Sequence, residues 1–306
     1  MPRIELKTRR QVAWMREAGL VVAQIHRALR EAAVEGVTTR ELDAVSAEAI
    51  RAGGAHSNFL NYYGYPATVC ISVNDVVVHG IPGDYRLQAG DIVSFDCGAW
   101  VERSGLQWHG DAAFSIIVGE PWIDDAAFAA GERSADYGDD AASSSLPAMV
   151  KRRQLNDVTR ESLWAALAAL ASGRRVFAVG DAVENVVAEA TVTFGWEPGI
   201  IEEYTGHGIG TAMHQEPDVV NFRARGLSPK LRPGMVLAVE PMLVGGSIVT
   251  DTDADEWTVR TRDGQDAAHW EHTVAILEDG ISVLTAPDFG AAGLAPYGVT
   301  PVVVEG

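Results

Sequence analysis

The stretch that decides the fold reads Gly90-Asp-Ile-Val-Ser-Phe-Asp-Cys-Gly-Ala-Trp100, then the polar turn Glu102-Arg-Ser-Gly105, then Leu106-Gln-Trp-His-Gly-Asp-Ala-Ala-Phe114. Two apolar runs rich in strand-forming residues flank a turn that contains glycine, and this pattern predicts a β-hairpin. Asp96 lies inside the first run and Asp111 inside the second. Burying a carboxylate is costly unless a partner compensates it, and two aspartates facing each other across a hairpin repel. A shared divalent cation would resolve both problems, so we expect further ligands elsewhere in the chain.

Length, composition and charge limit the class of protein. The 306 residues suffice for one large domain or two small ones, and the apolar share of 47% is typical of a globular protein. The sequence shows no apolar run long enough to cross a bilayer, and its first residues lack the apolar core of a signal peptide. The two cysteines, Cys70 and Cys97, suit a reducing cytoplasm without a disulfide framework. The formal net charge of −18 argues against nonspecific binding to nucleic acid.

The other elements follow from hydrophobic spacing and from capping residues. Helices are predicted over residues 8–35 and from about 38 to 54. Residues 67–83 read as two short strands about the Asn74-Asp75 turn. A cap at Asn156 or Asp157 predicts a helix to Gly173, and a further helix spans about 181–194. Helices followed by strands thus occur in both halves, which predicts an α+β fold with an antiparallel sheet covered by helices and a site between the halves.

Two segments fall outside this pattern. Residues 121–154 are rich in alanine, serine and aspartate with weak periodicity, which predicts a surface excursion without chemistry. The last residues, 285–306, contain many glycines, alanines and prolines, and we expect a poorly ordered extension there. The predicted organisation is therefore one domain over residues 1–284, with an insertion at about 121–154 and a C-terminal tail.

The second half supplies the expected ligands. His207 lies between glycines, which leaves room for a metal close to the backbone. Glu240 ends an apolar run, and Glu271 lies inside another. With Asp96 and Asp111 these residues form a set of four carboxylates and one imidazole. That set suits two hard or borderline divalent ions such as Mn²⁺, Fe²⁺ or Co²⁺ rather than a thiolate zinc site.

Paired metals can lower the pKa of a bridging water and stabilise the transition state of a hydrolysis. Two of the histidines outside the ligand set, His79 and His214, are further candidates. Neutral imidazoles at those positions could donate hydrogen bonds to a leaving amide or to an oxyanion. The residues alone therefore favour a metal-dependent hydrolase.

Taken together, the motifs resemble those of type I methionine aminopeptidases, which have the pita-bread fold. The resemblance covers about residues 8–284 and rests on seven short segments: Asn74-Asp-Val-Val-Val-His-Gly-Ile-Pro82, Gly90-Asp-Ile-Val-Ser-Phe-Asp96, His109-Gly-Asp111, Gly206-His-Gly-Ile-Gly210, His214 with Glu216-Pro217, Glu240-Pro-Met242 and Glu271-His-Thr273. It implies a pseudo-two-fold antiparallel sheet covered by helices, with a dinuclear metal site at its centre.

The resemblance also implies a role for each matching residue. Asp96, Asp111, His207, Glu240 and Glu271 match the metal ligands, with Asp111 and Glu271 bridging and Glu240 as proton shuttle. His79 matches the histidine that contacts the scissile amide, and His214 the one that stabilises the carbonyl oxygen. The pocket for the methionine side chain corresponds to Tyr62, Tyr65, Cys70, Met213 and Trp257. A monovalent cation at the backbone around Asn74 and Val76 is implied as well.

The activity implied is metal-dependent removal of the N-terminal methionine from peptides and nascent proteins, with a preference for a small second residue. A cytoplasmic monomer with transient contact to the ribosome exit region, and without membrane or direct nucleic-acid binding, is expected.

Three other functions on this fold are less favoured, and so is the type II class of the same enzyme. Prolidase-type relatives usually carry glycine after Glu-Pro and arginine two residues before the last ligand, where this chain has Met242 and His269. A creatinase-like hydrolase without metal, or a binding protein on the same fold, would lack several ligands, whereas all five are present. Type II enzymes have a large insertion between the last two glutamates, and the interval from Glu240 to Glu271 is short.

Overall fold

The computed structural model describes residues 4–133 and 148–304. The helices are α1 Arg9–Ala32, α2 Thr39–Ala52, α3 Asp125–Ala129, α4 Ala148–Ser172, α5 Ala178–Phe194 and α6 Ala291–Leu294. The strands are β1 His56–Ser57, β2 Cys70–Val73, β3 Val76–Val78, β4 Ile92–Arg103, β5 Leu106–Ile117, β6 Gly199–Ile200, β7 Gly206–Gly208, β8 Gln215–Val219, β9 Val236–Val239, β10 Met242–Val244, β11 Thr250–Thr252, β12 Val259–Thr261, β13 Ala267–His269, β14 His272–Leu277 and β15 Gly280–Val283. Within these ranges, no helix is both long and apolar enough to span a bilayer.

The predicted hairpin is the longest strand pair described. β4 and β5 pair in antiparallel register from Ile92 opposite Ile117 to Arg103 opposite Leu106. Helix α1 packs across both strands, and a capping box between Thr8 and Gln11 fixes its start. The approach requires glycine, since a Cβ on Gly110 would lie 2.8 Å from the backbone nitrogen of Gly19. The hairpin and its covering helix therefore form one rigid layer of the first half.

The second half contributes a five-stranded antiparallel sheet in the order β15-β14-β9-β7-β8. Helices α4 and α5 pack on each other, and α4 also contacts β9, β10, β13 and β14. Leu237, Val239, Val274 and Leu243 are fully buried in the main core beneath these helices. This helix-covered antiparallel layer matches the α+β architecture predicted from the sequence.

A short seam of hydrogen bonds joins β5 to the segment around Glu271. Ala113 and Glu271 exchange both backbone hydrogen bonds, at 2.9 and 3.3 Å. The hydroxyl of Thr273 donates to the carbonyl oxygen of Asp111 at 2.7 Å and accepts from its N–H at 3.0 Å. Ser115 Oγ donates to the carbonyl oxygen of His269 at 2.9 Å. The two halves thus meet in antiparallel register at Asp111 and Glu271.

The start of the third long helix was predicted wrongly. Asn156 and Asp157 lie inside α4, which is described from Ala148 onwards, rather than at its N-cap. Asn156 Oδ1 accepts a hydrogen bond from the indole of Trp270 at 2.8 Å, so a tertiary contact uses the side chain that resembled a cap. Residues 134–147 of the predicted surface excursion lie outside the described residues.

The expectation of a poorly ordered tail is also wrong over residues 285–304. Arg16, a buried residue of α1, donates hydrogen bonds to the carbonyl oxygens of Leu284, Ala286 and Pro287 at 2.6, 2.5 and 2.7 Å. Leu294 in α6 is fully buried in the main core. The tail is rich in small residues because it packs closely, with Gly293 directly against the indole of Trp164.

Candidate metal centre and substrate pocket

The hairpin places Asp96 and Asp111 on one face. Asp96 lies opposite Ala113, and Asp111 lies opposite Gly98, so the two aspartates are diagonal neighbours rather than directly opposed as the sequence suggested. Side chains at such diagonal positions point to the same side of a sheet. Their carboxylates therefore converge on one face, although the backbone offsets the two aspartates by two residues along the strands.

The other three predicted ligands come from the second sheet. His207 lies in β7 opposite Ala238 of β9, and Thr273 of β14 lies opposite the same alanine. Glu240 directly follows β9, and Glu271 directly precedes β14. One ligand atom each from Asp111, His207 and Glu271 lies within 4.8 Å of the others.

The glycines beside His207 have a different function from the one expected. A Cβ on Gly208 would lie 2.2 Å from the carbonyl oxygen of Glu216, and one on Gly206 would lie 2.4 Å from that of Ala238. The missing side chains therefore admit the backbones of β8 and β9 rather than a metal. His207 Nδ1–H donates to the carbonyl oxygen of Gly208 at 3.0 Å, which leaves Nε2 as a free acceptor.

The buried carboxylates are electrostatically unbalanced within the described residues. Asp96 Oδ1, Asp111 Oδ1 and Glu271 Oε1 are inaccessible to solvent and lack a hydrogen-bond partner there. Burial raises the pKa of Asp96 to about 7. Burial, followed by repulsion from neighbouring carboxylates, raises the pKa of Asp111, Glu240 and Glu271 well above the usual range. Burial lowers the pKa of His207 to about 3, which keeps its imidazole neutral.

These observations fit a divalent cation. Unpartnered carboxylate oxygens around one neutral imidazole are the donors that hard and borderline ions take. Glu240 also belongs to the cluster, since its Oε1 lies 3.5 Å from His207 Nε2. Asp96 and Glu240 line the same cavity as the other three residues. A cation would compensate the charge that burial otherwise makes costly.

An apolar cavity of about 150 Å³ opens onto this cluster. The residues predicted for the substrate side chain all line it, namely Tyr62, Tyr65, Cys70, Met213 and Trp257. Cys70 lies opposite Asp96 in the β2–β4 pair, which explains why an apolar thiol adjoins the carboxylates. The hydroxyl of Tyr65 donates to the carbonyl oxygen of Gly80 at 2.9 Å, so only its ring serves the cavity. Phe59, Tyr63 and Val78 complete the lining, and sequence reasoning missed Phe59 and Tyr63.

Both predicted catalytic histidines face the same cavity. His79 follows β3 in a left-handed backbone conformation with φ of 60°, and its ring meets the edge of Trp257. Burial lowers the pKa of His79 to about 4, so the imidazole is neutral. His214 Nδ1 lies 2.8 Å from the hydroxyl of Tyr62. If Tyr62 donates this hydrogen bond, the proton of His214 resides on Nε2.

Two further polar residues support the cluster. His269 is almost fully buried, and its Nε2 lies 3.7 Å from Glu240 Oε2. It is two positions before Glu271, and the alternation of side chains in extended backbone could have identified it. Asn58 donates to the carbonyl oxygen of Gly110 at 3.1 Å and accepts from His109 Nδ1 at 2.9 Å. No sequence pattern marks Asn58, because it comes from a loop distant in the chain.

Asn74 and Val76, which were predicted to hold a monovalent cation, lie at a turn between two sheets. The side chain of Asn74 donates to Asp91 at 2.9 Å and accepts from the N–H of Ile92 at 3.1 Å. The backbone carbonyl oxygen of Asn74 accepts a hydrogen bond from the N–H of Ala267 at 2.8 Å, and Val76 of β3 lies opposite Arg260 of β12. The cation itself stays a prediction.

Comparisons with known proteins agree with this geometry. Residues 13–278 match the model of metallopeptidase family M24. Methionine aminopeptidase 1 of Mycobacterium tuberculosis (strain CDC 1551 / Oshkosh) is 43% identical over 272 residues, which cover 89% of this chain and 91% of that protein. Methionine aminopeptidase 1 of Bacillus subtilis (strain 168) is 36% identical over 279 residues, covering 91% and 98%. The crystal structure of methionine aminopeptidase from Thermotoga maritima has a TM-score of 0.75 at 33% identity, covering 92% of this chain and 99% of that chain.

The chain belongs to metallopeptidase family M24. Within this family, its similarity to methionine aminopeptidases extends over nearly the full length of the relatives. The predicted pita-bread fold is thereby confirmed. Family membership also implies divalent metal ions, for which Asp111, His207 and Glu271 are the clustered candidates.

Proposed function

We propose that this chain removes the N-terminal methionine from peptides and nascent proteins by metal-dependent hydrolysis. The observation that carries the proposal is the cluster of unpartnered buried carboxylates at the end of an apolar, aromatic cavity. Near full-length similarity to methionine aminopeptidases supports the same substrate class.

The metal centre of the proposal consists of Asp96, Asp111, His207, Glu240 and Glu271. They would hold two divalent ions of the Mn²⁺, Fe²⁺ or Co²⁺ type, with Asp111 and Glu271 as bridging ligands. Such a pair, when bound, lowers the pKa of a coordinated water and supplies the nucleophile for hydrolysis. The exchange of both backbone hydrogen bonds between Ala113 and Glu271 supports the bridging assignment, because it holds Glu271 two positions from Asp111.

The protein's own residues then move protons and hold the substrate. Glu240 accepts the proton of the attacking water and passes it toward the leaving amine. His79 donates a hydrogen bond to the scissile amide, and His214 Nε2–H donates to the carbonyl oxygen as negative charge develops there. The hydroxyl of Tyr62, 2.8 Å from His214 Nδ1, fixes that tautomer and the ring orientation.

The pocket selects methionine by shape and polarizability. Cys70 and Met213 are buried and offer sulfur atoms, while Tyr65 and Trp257 provide ring edges 5.1 Å apart between centroids. Flexible thioethers pack well against sulfur and aromatic groups. A preference for a small second residue of the substrate is part of the proposal and follows from the resemblance to methionine aminopeptidases.

The biological setting follows from the same proposal. We assign residues 1–284 to the catalytic domain, with an insertion at about 121–154. The substrate would be the emerging N-terminus at the ribosome exit, met transiently by a cytoplasmic monomer. Two reduced, buried cysteines suit that compartment. The monovalent cation at Asn74 and Val76 would brace the turn that precedes His79.

The test measures release of the first residue from Met-Ala-Ser and from an Ala-Pro peptide. The protein is stripped with chelator and then supplied separately with Mn²⁺, Fe²⁺ or Co²⁺. Metal-dependent release from Met-Ala-Ser alone is the expected result. Cleavage of the Ala-Pro peptide instead would favour the prolidase alternative, and no turnover with any metal would favour a binding protein.

A further inference from the structure

A second cavity system lies beside β5 and shares no lining residue with the active-site cavity. One chamber of about 100 Å³ and another of about 190 Å³ are both lined by Arg30, Trp122 and Trp270. One water needs roughly 10–15 Å³ of such space, so each chamber holds several waters or a small molecule. Neither chamber has a function in the proposed hydrolysis.

The guanidinium of Arg30 lies among aromatic rings in this system. Its central carbon lies 4.5 Å from the ring centroid of Trp122 and 5.4 Å from that of Phe114. The indoles of Trp122 and Trp270 stack at 6.0 Å with an interplanar angle of 21°. Stacking covers the faces of a guanidinium and leaves its N–H edge for hydrogen bonds.

That edge has no acceptor within the described residues. Arg30 forms cation–π contacts there but neither a hydrogen bond nor an ion pair. Partial burial lowers the pKa of Arg30, the nearby carboxylate of Asp125 opposes this shift, and Arg160, a second cation, adds to it. A guanidinium that contacts aromatic rings and keeps an unused fork of donors is suited to bind a planar or tetrahedral oxyanion.

The carboxylates around the chambers are already engaged. Asp125 accepts two hydrogen bonds from Arg160, and Glu120 accepts from Arg153 at 2.7 Å. Asp124 Oδ1 accepts from the N–H of Ala127 and caps α3. Asp157 also has a partner. Asp125 attracts Arg30 electrostatically but accepts its hydrogen bonds from Arg160, so the N–H donors of Arg30 have no acceptor among the described residues.

A second donor lies in the same chamber. Asn156 is buried, and its Oδ1 accepts from Trp270 Nε1 at 2.8 Å. This contact fixes the amide and leaves its NH₂ group as a donor. Arg160, 3% exposed, lines the chamber as well and stacks on Trp122 and Trp270 at 5.3 and 4.8 Å. The chamber thus combines two guanidiniums and a fixed amide with aromatic walls.

We propose that the chamber lined by Arg30, Asn156 and Arg160 binds a small oxyanion, of the carboxylate or the phosphate–sulfate class, with Arg30 contributing a two-pronged hydrogen bond. Trp270 directly precedes Glu271, so the bound anion lies next to the backbone of a proposed metal ligand. The site is separate from the active-site cavity and does not depend on the peptidase proposal.

The test titrates the full-length protein with sodium acetate and, separately, with sodium sulfate, against sodium chloride at matched ionic strength. Acetate represents planar carboxylates and sulfate represents tetrahedral oxyanions. Tryptophan fluorescence reports on Trp122 and Trp270, and thermal unfolding gives an independent measure. We expect a saturable fluorescence change and a raised Tm with at least one oxyanion, beyond the effect of chloride.

Three variants identify the residue responsible. Arg30→Met keeps an apolar stem and removes the donors, so the oxyanion response should disappear. Arg27→Met is the matched control, because Arg27 is exposed on the same helix and, among the residues described, its one ion pair is with Glu31 at 3.9 Å. Arg30→Lys keeps the charge without the fork and should weaken binding roughly tenfold.

Two results would overturn the proposal. One is a wild-type response to acetate and sulfate that equals the response to chloride. The other is an oxyanion response that is equal in wild type and Arg30→Met, because binding would then occur elsewhere. If Arg30→Met does not fold, unchanged affinity in Arg30→Lys also refutes the two-pronged contact. Methionine release is not used as a readout, so failure here leaves the proposed function untouched.

Discussion

Thr273→Val tests the seam that holds the proposed metal ligands together. The substitution keeps shape and volume nearly constant but removes the hydroxyl that donates to the carbonyl oxygen of Asp111 at 2.7 Å and accepts from its N–H at 3.0 Å. Thr273 is fully buried, so both backbone groups of Asp111 lose their partner away from water. Each unsatisfied buried group costs ~1–3 kcal/mol, which gives about 2–6 kcal/mol in total.

The loss of these hydrogen bonds should also affect the metal centre. Asp111 is held at its backbone by Thr273, and residues that orient ligands typically contribute roughly 10–100-fold to metal affinity or activity. We therefore expect kcat/KM for Met-Ala-Ser to fall by about that factor, with weaker Mn²⁺ binding. Thr273→Ser restores the hydroxyl and should recover most of both losses.

Urea unfolding of the metal-free protein measures the first effect, and Mn²⁺ titration followed by methionine release measures the second. If Thr273→Val is as stable and as active as Thr273→Ser, the hydroxyl does not hold Asp111 and the seam is not what positions the ligands. If both variants lose activity equally, the side-chain methyl is responsible and the hydrogen-bond argument is wrong.

The remaining predictions concern the tail, the proposed catalytic imidazole of His214 and a buried lysine. Arg16→Met should lower the free energy of unfolding by about 3 kcal/mol, because several tail carbonyl oxygens lose a charged donor. Limited proteolysis of the variant should then cleave residues 285–304 first. An unchanged cleavage pattern would contradict this. Tyr62→Phe should lower kcat roughly 2- to 10-fold with little change in KM, because the hydrogen bond to His214 is lost while the ring remains. A change in KM alone would argue against the view that Tyr62 orients His214. Burial lowers the pKa of Lys7 to about 8, below its ordinary value of 10.5. Between pH 8 and pH 10.5 the unfolded chain therefore binds a proton that the folded protein does not. The free energy of unfolding rises with pH over this range, by up to about 1.4 kcal/mol per pH unit. Unfolding of wild type and Lys7→Met at pH 7.5 and 9.5 checks this, and the wild-type protein should gain relative to the variant at the higher pH.

Local patterns in the sequence predicted the elements that position the site. The alternation around Asp96 and Asp111 gave the hairpin, and capping residues gave the bounds of α1 and α2 to within a few residues. A ligand set could be proposed because acidic residues are rare inside apolar strands unless something compensates them, and the structure brings all five proposed ligands to one cavity. Chemistry that depends on residue type and on burial can thus be predicted from the sequence alone.

Long-range contacts were not visible in the sequence. Thr273 and Asn58 look like ordinary polar residues, and only the fold brings them to Asp111 and Gly110. The tail looked disordered because its small residues suggest flexibility, whereas Gly293 is small so that the chain can approach an indole. Asn156 resembled a helix cap because an asparagine side chain can hydrogen-bond either to the backbone of a helix end or to a distant residue. The sequence does not show that its partner is the distant Trp270.

The most direct test of the metal centre measures bound metal and turnover on the same sample. Equilibrium dialysis against Mn²⁺ gives the number of ions per chain, and release of methionine from Met-Ala-Ser is then recorded for wild type and Asp111→Asn. Two ions per wild-type chain, with loss of both metal and activity in the variant, is the predicted result. Unchanged peptide turnover in Asp111→Asn would contradict the assignment of Asp111 as the residue that bridges the two metals.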